Sequence, residues 1–143
     1  MKDRDPRIQQ AANLLTESRA AVAFTGAGLS TPSGIPDFRS PGTGLWARLE
    51  SDGTDESTIQ AFGRDPQTFY QRMKPLFQKI ITAEPNAAHY ALAELEAKGK
   101  IQALVTQNAD MLHQRAGSKN VIEIHGSLTE ATCNQCYRIA PFR

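Results

Sequence analysis

Residues 21–46 read AVAFTGAGLSTPSGIPDFRSPGTGLW, and the rest of the chain takes its meaning from them. The stretch opens on a short apolar run, Ala21-Val22-Ala23-Phe24, whose length and composition suit a buried strand. The run breaks at Gly26-Ala27-Gly28 and passes through Ser30 into a glycine- and proline-rich loop carrying Asp37, Phe38 and Arg39. A strand that ends in two glycines ahead of a helix start suits a phosphate group. The glycines admit the backbone to the ligand, and N–H groups at the helix N-terminus face the anion. The spacing is not the full GxGxxG fingerprint, so its weight depends on the segments around it.

On the N-terminal side, Asp5-Pro6 reads as a cap followed by proline at the first helical position. Ile8, Ala11, Ala12 and Leu15 then recur at helical spacing to near Ser18. On the other side, residues 34–63 form a long loop of the kind that closes over ligands, with Ile35, Phe38, Leu45 and Trp46 available for burial. A helical segment is expected over about 64–84, starting at Asp65-Pro66 and kinked or split at Pro75. A further helix opens at Pro85-Asn86 and closes at Gly99. Two more short strands follow, Ile101–Thr106 and Val121–Ile124, with a short helix over Asp110–Ala116 between them. Helices alternating with short apolar strands predict a parallel α/β sheet. Each strand then ends in polar chemistry: Gly26 and Ser30 after the first, Gln107, Asn108 and Asp110 after the second, His125 after the third. Open parallel sheets bind ligands beyond the carboxyl ends of their strands, which makes this convergence a site.

Composition sets outer bounds. The 143 residues fit one domain, and 40% hydrophobic with 22% charged residues describe an ordinary globular protein. A net charge of +1 gives no electrostatic case for nucleic acid or an anionic membrane. No apolar run approaches the ~20 residues of a membrane span, and MKDRDPR lacks a signal-peptide core, so a cytoplasmic location is expected. The two cysteines, Cys133 and Cys136, share one C-x-x-C, which favours metal or redox chemistry over a structural disulfide.

Four segments, GAGLSTPSGIPDFRS (26–40), TQNADMLH (106–113), IHG (124–126) and CNQC (133–136), resemble the motifs of the sirtuins, in family order. The resemblance implies a partial Rossmann-like parallel sheet flanked by helices, with the start of a small zinc-binding module over about 127–143. The whole of 1–143 would then be the N-terminal part of a sirtuin catalytic domain. It implies NAD as cofactor and an acylated lysine protein or peptide as substrate. Gly26, Ala27, Gly28 and Ser30 would hold the pyrophosphate, and Asp37, Phe38 and Arg39 would belong to the loop covering the nicotinamide ribose. Gln107 and Asn108 would contact that ribose, and Asp110 the nicotinamide carboxamide. His125 and Asn108 would be catalytic, His125 as the general base that activates a ribose hydroxyl. The products would be deacylated lysine, nicotinamide and O-acyl-ADP-ribose. Histidine titrates near neutral pH and suits that role on its own chemistry. His89 and His113 read as structural.

Three features depart from the family pattern. Ala109 stands where isoleucine is common. Tyr70 is followed at i+3 by Met73, not the arginine of the desuccinylase branch, which points to an uncharged acyl group. Cys133 and Cys136 are two of the four ligands that a structural zinc site requires, and the adenosine-binding half of the fold has no counterpart in the sequence. Self-association or a complementing C-terminal half is therefore an expected partner. Two other functions stay open beside deacetylation: a catalytically incomplete NAD-binding module, and NAD glycohydrolysis or ADP-ribosyl transfer.

Overall fold

The computed structural model describes residues 5–42, 44 and 59–141. Leu45, Trp46 and half of the expected loop (43 and 45–58) lie outside the described residues. The chain divides into two compact units, residues 1–25 with 87–143, and residues 26–86.

The first unit holds the parallel sheet. Helix α1 (Pro6–Glu17) starts as expected, with the Asp5 carboxylate accepting the Arg7 N–H and proline in the first turn. Strand β1 (Val22–Thr25) pairs with β2 (Ala103–Thr106), which pairs with β3 (Val121–Glu123), all parallel, in the order β1-β2-β3. Helix α4 (Ala87–Ala97) precedes β2 and ends at Gly99, whose φ of +67° is the left-handed stop predicted for it. The Glu96 carboxylate accepts the N–H groups of Lys119 and Asn120 at 3.0 and 2.7 Å, tying the end of α4 to the start of β3. A four-residue helix, α5 (Leu112–Arg115), lies between β2 and β3. It is shorter than the Asp110–Ala116 expected, because Met111 turns left-handed ahead of it.

Alternation along the strands sorts the sheet into two faces. Leu104 at the centre of β2 is fully buried, as are Leu112 and the polar Thr106. The opposite face carries Val22, Phe24 and Ile122, about half or more exposed, with Ile124 continuing the row. Parallel sheets normally cover both faces, so this one presents an open apolar side. Leu104→Ala removes a side chain with no solvent contact and is expected to destabilise the unit by about 2–5 kcal/mol in urea unfolding.

The second unit begins with a 3₁₀ helix over Ala27–Ser33 and continues with α2 (Ile59–Arg64) and α3 (Pro66–Thr82). Helix α2 starts inside the stretch read as loop, where Ala61 is buried and Phe62 packs edge-on against Phe69 and Tyr70 of α3. Asp65 caps α3 by accepting the Gln67 and Thr68 N–H groups, both at 3.1 Å. Of the kink or split expected at Pro75, the split does not occur: α3 is one helix of 17 residues with Pro75 inside it. Proline removes a single ladder bond, and the Tyr70–Phe77 ring contact bridges across it. None of the helices among the described residues is long and apolar enough to cross a membrane.

Candidate active site

The strand-end residues of the first unit are positioned by the sheet. The Gln107 N–H donates to the Thr25 carbonyl at 3.0 Å, and the Asn108 N–H donates to the buried Thr106 hydroxyl at 3.0 Å. The Ile124 N–H donates to the Thr106 carbonyl at 3.0 Å, the last rung between β2 and β3. Beyond that rung, His125 leaves the sheet and its Nδ1 lies 3.2 Å from the Gln107 carbonyl oxygen. A carbonyl only accepts, so Nδ1 carries the proton and Nε2 carries the lone pair. The sheet thus brings Gln107, Asn108 and His125 together, with Nε2 of an exposed imidazole as the basic atom.

Asp110 is buried, and its Oδ1 accepts the Leu112 N–H at 3.0 Å. Behind it lie two buried histidines. The rings of His89 and His113 meet edge to face, centroids 5.1 Å apart, and His113 Nε2 lies 2.9 Å from the Thr25 hydroxyl. Burial lowers both histidines' pKa values below the ordinary value. His89 lowers that of His113 further, and the Asp110 charge opposes the shift at both. Both imidazoles are therefore neutral near pH 7, in keeping with the structural role read for them.

In the second unit, Gly26 is extended and the 3₁₀ helix follows it directly. Asn86 donates from Nδ2 to the Leu29 carbonyl at 2.9 Å and to the Ser33 hydroxyl at 3.0 Å, clamping that helix. The sequence gives no sign of this clamp, since Asn86 reads there only as a helix opener. Gly28 is exposed, has no left-handed φ, and a Cβ built on it meets nothing within 4 Å. The fold makes no demand for glycine there, and the open space is what a backbone-bound ligand needs. Gly44 is the opposite case: its Cβ would fall 2.8 Å from the Ser40 backbone, so the turn itself excludes other residues. Ser30 and Ile35 are buried, whereas Phe38, read as buriable, is half exposed. Asp37 accepts the Ser40 N–H at 3.1 Å and the Ser40 hydroxyl at 2.6 Å, and no Asp37–Arg39 ion pair is present among the described residues. A cavity of about 370 Å³ is lined by Thr31, Ile35, Asp37, Ser40 and Lys79, among others.

The C-x-x-C lies in the turn of an antiparallel hairpin, β4 (Glu130–Thr132) and β5 (Ile139–Pro141). Both thiols are free and exposed. The backbone N–H groups of Cys136 and Gln135, and the Cys136 thiol, hydrogen-bond Cys133 and lower its pKa below the ordinary thiol value. That turn suits a thiolate metal ligand. Two thiols are half of a tetrahedral structural site, and no cluster of three or more candidate ligands occurs among the described residues.

A parallel α/β sheet with an imidazole, two amides and a carboxylate at adjacent strand ends is an open α/β ligand-binding fold. Comparison with known proteins narrows this class. The Sir2 family profile matches residues 26–142, and the chain belongs to that family, the sirtuins. It is 50% identical over 126 residues to a Sulfurisphaera tokodaii protein named NAD-dependent protein deacetylase, covering 88% of this chain and 49% of the relative. A Thermotoga maritima protein of the same name is 48% identical over 130 residues, covering 91% and 51%. Among solved structures, a Sir2 complex with a p53 peptide and NAD+ superposes with a TM-score of 0.81 at 45% identity, covering 94% of this chain and 52% of that one. A mutant Sir2 homologue in complex with ADP-ribose gives 0.83 at 41% identity, covering 93% and 52%. The chain spans about half the length of the curated relatives it matches.

Proposed function

We propose that this chain carries the nicotinamide-side half of an NAD-dependent protein lysine deacetylase, with His125 as general base. The observation that carries the reading is the 3.2 Å contact from His125 Nδ1 to the Gln107 carbonyl, which leaves Nε2 as an exposed proton acceptor. Bound NAD would supply a ribose C1′ activated by nicotinamide as leaving group. Gly26, Ala27, Gly28 and Ser30 hold its pyrophosphate, with Asp37, Phe38 and Arg39 in the covering loop. Gln107 and Asn108 contact the nicotinamide ribose, Asn108 acting with His125, and Asp110 faces the carboxamide. His125 Nε2 takes the proton of a ribose hydroxyl, and an acetylated or otherwise uncharged acyl-lysine peptide is the second substrate. The relatives' names and the peptide and NAD complexes among the similar structures support this reading. A second reading, an NAD-binding module without turnover of its own, uses the same residues. Cys133 and Cys136 contribute two of four zinc ligands in either reading.

Gly28→Ala tests the cofactor assignment, because the fold leaves room for a methyl group. Unfolding is expected to stay within about 0.5 kcal/mol of the parent. NAD affinity measured by calorimetry should fall by tenfold or more, about 1.4 kcal/mol. Equal affinity in both proteins removes Gly28 from the site. Nicotinamide release that requires acetyl-lysine peptide supports deacetylation, release without peptide supports glycohydrolysis, and binding without release supports the module.

A further inference from the structure

We infer that Met111 and Ser127 are positioning residues that hold His125 in the Nδ1–H form. The inference rests on the assignment of His125 as general base. His125 is exposed, and its contact to Gln107 is long, so packing alone does not hold the ring. A second link joins the same two strand-end loops. The Ser127 hydroxyl donates to the Met111 sulfur at 3.3 Å, two residues beyond His125 on one side and four beyond Gln107 on the other. His125 is thereby bracketed, by the last sheet rung at Ile124 and by the O–H···S clasp at Ser127.

Two features mark the clasp as built. Met111 has φ +63°, ψ 9°, a left-handed conformation that glycine takes freely and a methionine takes against steric resistance. Strained non-glycine residues persist where their surroundings over-determine them. The Ser127 hydroxyl is also enclosed by polar partners. With its one proton directed to sulfur, its oxygen accepts the Thr129 N–H at 3.2 Å. The Thr129 hydroxyl lies 3.0 Å away, and in that arrangement it is the donor of the pair.

The test is nitrogen NMR of the histidine-labelled 143-residue chain at about pH 8. The parent should show His125 as Nδ1–H. Met111→Leu keeps volume and strain but removes the acceptor, and Ser127→Ala removes the donor. Each is expected to lose the Nδ1–H signature and shift to the mixture of a freely solvated imidazole, while Ser127→Thr retains it. Met111→Gly should raise the unfolding temperature yet still lose the signature, which a packing role for the side chain would not produce. An unchanged tautomer in Ser127→Ala overturns the inference whatever the methionine variants do. Turnover does not enter the readout, so an active His125→Ala enzyme would defeat the base assignment and leave the clasp measurement standing.

Discussion

His125→Ala is expected to lower the proposed NAD-dependent deacetylation by about 10²–10⁴-fold, the range for loss of a positioned general base. The measurement is nicotinamide release from NAD in the presence of an acetyl-lysine peptide, beside calorimetric NAD binding. Binding should persist, because the residues assigned to the pyrophosphate lie at the N-cap and within the 3₁₀ helix that follows β1, not on the His125 loop. The imidazole is exposed, so its removal should change stability by no more than about 0.5 kcal/mol. A parallel loss of binding and turnover would place His125 in cofactor retention instead. His125→Gln, which keeps a donor toward the Gln107 carbonyl but supplies no base, should fail as completely as alanine.

The second large effect is acid lability from the buried histidine pair. Burial holds both pKa values below the ordinary value of about 6.5, so between that value and the lowered ones the unfolded chain binds protons that the folded chain does not. Stability is therefore full above about pH 7 and falls as pH drops through this window. The slope reaches about 1.4 kcal/mol per pH unit for each histidine that stays neutral in the folded state. Asp110 and Glu96 moderate the fall at His113, and Asp110 does so at His89. Urea midpoints between pH 7 and pH 5 measure it. His113→Gln should flatten the dependence, because it removes one titrating group and the charge that would oppose protonation of His89. A dependence as steep as the parent's would assign the acid effect to the carboxylates.

Much of the site is legible in the sequence because it lies at strand ends. The apolar runs at 22–25, 103–106 and 121–123 announce parallel strands, and in such sheets the residues just past each strand share one edge. That rule and the family resemblance together place Gln107, Asn108, Asp110 and His125. Caps are equally plain, because Asp5-Pro6 and Asp65-Pro66 act through bonds two and three residues away. Local preference misleads where distant packing competes with it. Pro75 stays inside one helix, with the Tyr70–Phe77 ring contact bridging the position of the lost hydrogen bond. Phe38 stays half exposed although its hydrophobicity favours burial.

By itself, then, the order of glycines, strand runs and polar strand ends determined the α/β class, the family and the edge of the sheet that carries the candidate site. These depend on short-range spacing, and spacing is written in the chain. Tertiary structure alone decided which nitrogen of His125 holds the proton, because that depends on a carbonyl 18 residues away. It alone joined His89 to His113, 24 positions apart and both shut off from water. It also put a methionine, with nothing in its side chain to favour it, into the left-handed conformation at position 111. The glycine turn at residues 26–28 gained a sharper meaning in the same way. Gly28 faces open space that the fold does not fill, so packing does not account for its lack of a side chain, and the proposed pyrophosphate contact has the room it needs.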